Sequence, residues 1–307
     1  MMQKIPFSLC SLMLAAASLG NLLKNSSLIL YWLLGFLSMA LGILWLFRNI
    51  LCFESFRQEM QAPSSASICG TFSMGLMLLS GYAQPFLKNK ALWFWLAGLL
   101  AHLVLLLWFT FRFMMPPRLS QVYASYFIVY VGIAAASICA PAFHLSRAGL
   151  FLCFFAIAAF FPLMTLISFR YGKKREPDDS RKPLFAVYAA PASLCLTGYL
   201  SCSPAPNTGF VFFLLGLSLC SYIIVLYRLP AYIRLPWTPA FAALPFPCII
   251  SAIAVKKALA FLGGASLPIK ILSVFSSIQE WIACCLFFSI LILFVIHTLR
   301  FPSSASS

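Results

Sequence analysis

Long apolar runs, each close to the length that crosses a lipid bilayer, fill most of the 307-residue chain. Its 21 basic and 6 acidic side chains make up only 9% of the residues, whereas about a quarter of residues are charged in soluble globular domains. A transmembrane helix needs roughly 20 apolar residues, so the chain has room for about ten spans and short loops. The pattern predicts an all-α polytopic membrane protein, with one transmembrane domain over residues 1–307.

Pro, Gly, Ser and charged residues divide the apolar runs into predicted spans. In chain order these are Pro6–Leu23, Leu28–Phe47, Ser65–Ala83, Ala91–Phe111, Val122–Ala140, Ala148–Phe169, Leu184–Leu200, Gly209–Tyr227, Pro239–Ala260 and Trp281–Leu299. Glu280 and Arg300 set the two ends of the last span. The first run also has features of a secretory signal, but its apolar part is long for one. We therefore expect it to remain as a helix.

The odd-numbered spans begin near residues 6, 65, 122, 183 and 239. This near-constant interval predicts five helical hairpins of similar length. Several odd spans are rich in small residues, whereas even spans carry large aliphatic and aromatic side chains that suit lipid. We expect ten transmembrane helices arranged as five hairpins around a central pore, with five inner odd helices and five outer even helices.

The net charge of +15 is explained by membrane topology. The basic residues lie between apolar runs rather than on a hydrophilic face, so no nucleic-acid partner is expected. About two thirds of the Lys and Arg residues fall on the side of the amino terminus, most of all in the loop from Arg170 to Lys182. The positive-inside rule then predicts an integral protein of the plasma (inner) membrane with both termini cytoplasmic.

Groups that would serve an enzyme or a metal site are sparse. His102, His144 and His297 are not paired with one another or with a carboxylate at ligand spacing, and the cysteines lie mostly in apolar runs without a C-x-x-C pair. All six acids fall outside the predicted spans, and proton or cation relays in membranes depend on such groups. The sequence thus predicts no enzyme, metal or cofactor. It favours an anion pathway, with an intramembrane enzyme as a weaker alternative.

Helix-breaking prolines indicate a candidate site in two odd spans. Pro191 lies in AAPASLC of the seventh span, and Pro245 and Pro247 flank Phe246 in AALPFPCIIS of the ninth. A proline inside a helix removes a backbone hydrogen bond and can expose polar backbone groups. Broken helices near the midplane bind ions in many transporters. The alternative is that these prolines only bend the helices to fit their neighbours.

These segments resemble the tellurite-resistance/dicarboxylate transporter family, which includes the plant slow anion channels. The run LPFPCIIS (residues 244–251) is similar to the family's ninth helix, and APAS (residues 190–193) to its seventh. The first helix departs from the family, because Ser8 and Cys10 stand where Gly-rich sequence is expected. That departure puts the width of a pore near the first span in doubt.

The resemblance implies a homotrimer of independent pores that conduct small anions, with the lipid bilayer as the other partner. Chloride, nitrate, sulfite and C4-dicarboxylates are the candidate substrates. It also implies that Phe246 is the gate of the pore and that three prolines shape its wall, namely Pro191, Pro245 and Pro247. A different class stays open, the ten-helix drug/metabolite exporter built from two five-helix repeats. That class predicts self-similarity at about 150 residues rather than near the hairpin interval.

Overall fold

A computed structural model of the protein describes residues 2, 5–115, 119–173, 178–264 and 266–300. The first half forms α1 (Leu9–Leu23), α2 (Leu28–Leu51), α3 (Phe53–Glu59), α4 (Pro63–Ile68), α5 (Gly70–Leu87), α6 (Ala91–Phe113), α7 (Tyr126–Tyr130) and α8 (Ala134–Cys139). The second half forms α9 (Ser146–Lys173), α10 (Ala190–Cys202), α11 (Thr208–Ile233), α12 (Pro245–Leu262) and α13 (Leu267–Arg300). Short 3-10 segments, Lys182–Ala189 and Pro239–Ala243, precede α10 and α12.

Within the described part of the chain, seven helical stretches are long and apolar enough to cross a membrane. One of them, Pro63–Phe113, contains α4, α5 and α6, and two shorter apolar helices are Leu9–Leu23 and Ala134–Phe143. The protein is therefore an all-helical, polytopic integral membrane protein, as the sequence predicts. Lys4, Arg118, Lys174 and Arg175, which enter the predicted orientation, lie outside the described residues.

Burial divides the long helices into two groups. We call α1, α5, α8, α10 and α12 the buried helices, and α2, α6, α9, α11 and α13 the peripheral helices. Every residue of α1 except Asn21 is buried. In the apolar 18-residue stretch of Lys182–Cys202, 89% of the residues are buried, compared with 39% in that of Thr208–Ile233. Large apolar side chains of the peripheral helices, such as Phe36 and Phe151, are exposed. An apolar surface of this extent requires lipid rather than water as its surroundings.

Each buried helix packs against the peripheral helix that follows it in the chain. The buried helices also contact one another in a fixed order, α1 with α5, α5 with α8, α8 with α10, α10 with α12, and α12 with α1 again. The contacts between the five buried helices therefore form a closed ring. The most buried helices are those with the smallest side chains, as in α8 (AAASIC), because small residues allow helix backbones to approach closely.

The fifth predicted span, Val122–Ala140, is not one helix but is broken between α7 and α8. Gly132 lies in the break, where a Cβ atom would overlap the carbonyl oxygen of Ile128. A break inside a membrane protein leaves carbonyls that must find donors. His102 of α6 supplies one, because its Nε2 lies 3.0 Å from the Val129 oxygen. Trp95 Nε1 donates at 3.0 Å to the Ala136 oxygen inside α8, which also accepts from the Ala140 amide.

Several helices continue past charged residues at which the predicted spans end, as α13 and α2 illustrate. The last helix, α13, begins at Leu267 rather than Trp281, so Glu280 lies inside it, where the Lys256 ammonium neutralises the carboxylate at 2.6 Å. The second helix runs past Phe47 to Leu51. Arg48 stays buried there because its Nε donates to the Ile5 oxygen at 3.2 Å and its other nitrogens also have partners.

Candidate functional site

Phe246 lies in the first turn of α12, at the end where a 3-10 segment leads into the helix. Its side chain is 6% exposed. Across the described residues, no other aromatic ring pairs with it, although most buried rings of the protein pack in pairs. Among the described residues, the ring of Phe246 therefore lacks the stacked or edge-on contacts that orient the other buried rings.

The three site prolines start helices rather than interrupt them. Pro245 is at the first turn of α12, and Pro191 is at the first turn of α10. The first amides of a helix have no partner inside it, and a proline there removes a donor that would otherwise be buried unpaired. The prolines therefore do not kink the middle of a helix, contrary to the sequence prediction. They lie where a 3-10 segment changes into an α-helix.

The two proline segments lie side by side on neighbouring helices. Ser193 Oγ of α10 is 3.0 Å from Ser251 Oγ of α12, and Ser251 Oγ is 3.3 Å from the Ala189 oxygen, directly before α10. Because Ser251 follows Pro247 by one turn and Ala189 precedes Pro191, both helix starts lie at a similar level. The structure therefore brings together the segments in which the sequence places all its candidate site residues.

Similar polar contacts join the other buried segments, and the sequence interpretation missed them. Ser8 Oγ donates to the Pro239 oxygen at 2.7 Å, and Ser11 Oγ lies 3.4 Å from Thr71 Oγ1. Ser67 donates to Ser125 at 2.7 Å, with a sequence separation of 58, the same separation as for Ser193 and Ser251. The signal in the sequence that indicates these contacts is the recurrence of polar residues at the hairpin interval.

The charges of the buried segments are all basic. In the described part of the chain, the acids lie in α3, in the loop before Lys182 and in α13, whereas Lys256 and Lys257 lie in α12. Lys256 pairs with Glu280. Lys257 donates a short hydrogen bond to Ser201 Oγ of α10. Proton and cation pathways use buried carboxylates or histidines, so the charge pattern suits an anion instead.

A separate apolar cavity of about 430 Å³ is lined mainly by α2 and α5, with Met13 of α1 and Phe94 of α6 at its walls. Its lining is almost wholly apolar, with Trp32, Phe36 and Phe86 among its walls, and includes no residue of α10 or α12. It therefore faces the periphery and is distinct from the site at Phe246. Among the described residues, no group of three or more His, Cys, Asp or Glu side chains is placed to hold a metal ion.

Apolar helices whose peripheral surfaces suit lipid define an integral membrane protein. The sequence profile of a family described as voltage-dependent anion channel matches residues 4–296. The chain belongs to this family, which is the tellurite-resistance/dicarboxylate transporter family that its seventh and ninth spans resemble. Members of the family are channels or transporters. A comparison with curated protein sequences finds no match.

Proposed function

We propose that the protein conducts small anions passively through a gated pore enclosed by its buried helices. The single observation that carries the proposal is the position of Phe246, a ring with no aromatic partner among the described residues, at the buried start of α12 in an anion-channel family. The basic charges of α12 and the lack of acids in the described buried helices support an anion as the permeating species.

The pore in this proposal is formed by five inner helices, α1, α5, α8, α10 and α12, each paired with an outer helix. The closed order of contacts among the buried helices supports it, as does their burial relative to the peripheral helices. Counting the broken α7–α8 segment as one span and α4–α5 as another gives the ten spans of the five-hairpin arrangement. The whole chain then acts as one transmembrane domain.

Phe246 acts as the gate, and Pro191, Pro245 and Pro247 shape the wall around it. A phenyl ring across a narrow apolar tube blocks water and ions until it changes rotamer, and its positively polarised edge can meet a passing anion. The prolines fix where α10 and α12 start. This leaves the backbone near the ring without extra donors that would trap an anion.

The remaining features follow from the family and the charge distribution. We propose a homotrimer in the inner membrane with both termini cytoplasmic, no enzymatic activity and no cofactor. Chloride, nitrate, sulfite and C4-dicarboxylates are the candidate substrates. The two-repeat exporter is less well supported, because the contacts between equivalent polar residues occur at separations of 58 and 60 residues, close to the hairpin interval.

The test is anion flux into proteoliposomes with the membrane potential clamped, using chloride, nitrate, sulfite and a C4-dicarboxylate in turn. Flux that follows the potential, without a requirement for a proton gradient, supports a channel. Saturable uptake that depends on a proton gradient would replace the channel with a coupled carrier. No flux of any of these anions above that of empty liposomes, from correctly folded protein, would overturn the proposed function.

A further inference from the structure

The rotation of α12 is fixed by two contacts on different sides of the helix. Ser251 contacts Ser193 and the Ala189 oxygen on the side of α10. Lys256 contacts Glu280 of α13 and the Leu22 oxygen of α1 on the other side. Successive residues of an α-helix are about 100° apart around its axis. Phe246 therefore lies on the face between these two contacts. This face points away from the peripheral helices and toward the region that the buried helices enclose.

Lys257 lies on the same face as Phe246. The two residues are eleven positions apart, which is about three helical turns, or about 16 Å along the axis. Ile253 lies between them on this face and is only partly buried, unlike its fully buried neighbours Ala252 and Ala254. Partial exposure on a helix enclosed by other helices indicates open space beside it. Phe246, Ile253 and Lys257 thus border the same internal space.

The contacts of Lys257 agree with this placement. Its ammonium donates to Ser201 Oγ of α10 and lies within electrostatic range of Cys139 of α8 and Cys202 of α10. Since α8 and α10 are neighbours in the order of helix contacts, the ammonium lies near two of the buried helices. Ser201 donates in turn to the Thr197 oxygen at 2.6 Å, so its hydroxyl is held in place as an acceptor.

The charge of Lys257 is not neutralised by an acid. In the described part of the chain, the ion pair at this end of α12 uses Lys256 and Glu280, and the neighbours of Lys257 include the thiols of Cys139 and Cys202, which are uncharged near neutral pH. The carboxyl-terminal ends of α1, α10 and α12 meet here, and helix carboxyl termini carry partial negative charge. Without a cation, this end of the enclosed region would repel an anion.

We infer that Lys257, together with Ser201, forms a binding site for the permeating anion at the end of the pore opposite Phe246. The inference rests on the proposed function and assigns the step at which an anion first loses water. The ammonium takes the place of part of the hydration shell, and the Ser201 hydroxyl positions that ammonium. A small anion such as chloride or nitrate then reaches the apolar stretch at Ile253 from a bound state.

The test compares flux against anion concentration in proteoliposomes for wild type, Lys257→Gln, Lys257→Arg and Lys270→Gln. Loss of a charged hydrogen-bond partner at a partly exposed site predicts a flux about three- to tenfold lower at low anion concentration in Lys257→Gln. The difference should shrink at high concentration. Lys257→Arg keeps the charge and should keep most of the flux. Lys270→Gln removes one exposed cation near the start of α13 and controls for net charge.

A second measurement reports on binding without transport. Wild-type protein is treated with an amine-acylating reagent in chloride or in a large organic anion at equal ionic strength, and modification of each lysine is quantified by mass spectrometry. Chloride should slow modification of Lys257 and leave Lys270 unchanged. Equal modification in both anions, with an unchanged concentration dependence in Lys257→Gln, would overturn the inference. If wild-type protein moves no anion, the proposed function fails, while protection of Lys257 still decides whether the anion site exists.

Discussion

The Lys256 ammonium lies 2.6 Å from Glu280 Oε2, and this ion pair ties the buried helix α12 to the peripheral helix α13. Lys256 also points its ammonium at the Leu22 oxygen at the end of α1, so three helices meet at one cation. The side chains are 34% and 20% exposed, so surrounding water or headgroups partly screen the pair. Its role is structural, in contrast to the adjacent Lys257.

Glu280→Gln should lower the free energy of unfolding by about 1–2 kcal/mol, because it leaves the Lys256 ammonium without its carboxylate in a partly buried position. Thermal unfolding of the purified protein in detergent measures the loss. The control is the double variant Lys256→Gln with Glu280→Gln, which removes both charges. We expect it to be more stable than the sum of the two single losses predicts. Strictly additive losses would contradict a direct coupling.

The sequence predicts the all-helical, polytopic fold, because the length and hydrophobicity of a span are set by the bilayer. The starts of helices were less predictable. The sequence predicts that Glu280 ends a span, since it does not reveal that Lys256 neutralises the carboxylate across a helix interface. The sequence does not reveal the break at Gly132 for the same reason, because the donor to the Val129 oxygen before the break is His102 of a different helix.

The sequence likewise predicts one part of the candidate site and not the other. Pro191, Pro245 and Pro247 were recognisable as breakers, and the structure places them at helix starts. The serine contacts between buried helices were not recognised, since Ser is common in such helices and a single serine gives no partner. The only signal in the sequence for the contact between Ser67 and Ser125 is their separation of 58 residues, which is close to the interval between successive hairpins.

If Phe246 is the gate that we propose, Phe246→Ala should increase anion flux at a clamped potential by about tenfold or more, because it removes the ring that closes the pore. Phe246→Leu should lie between wild type and alanine, in line with its intermediate size. Proteoliposome flux, corrected for the amount of folded protein, is the measurement. Phe287→Ala is the matched control, a phenylalanine that is fully buried on α13. Equal flux in wild type and Phe246→Ala would show that the ring is packing rather than a gate.

His102→Leu should lower the free energy of unfolding by about 2 kcal/mol, because the Val129 oxygen and the Ser73 hydroxyl both lose a buried partner. The two contacts are short, 2.7 Å to Ser73 Oγ and 3.0 Å to the Val129 oxygen. Thermal unfolding in detergent detects the change. Ser73→Ala should cost less, since it leaves the contact of His102 with the break intact. A His102→Leu variant as stable as wild type would mean that the break satisfies its carbonyls in another way.

Gln279→Met should raise the stability of the protein. The Gln279 side chain is fully buried on α13, and neither Oε1 nor Nε2 has a hydrogen-bond partner among the described residues. Burying an unpaired amide is unfavourable, and a methionine of similar volume fills the same space without polar atoms. We expect a gain of about 1 kcal/mol in detergent unfolding. Gln279→Glu, which places a charge in the same pocket, should instead be strongly destabilising. A loss of stability in Gln279→Met would show that the amide is paired in the membrane-embedded protein.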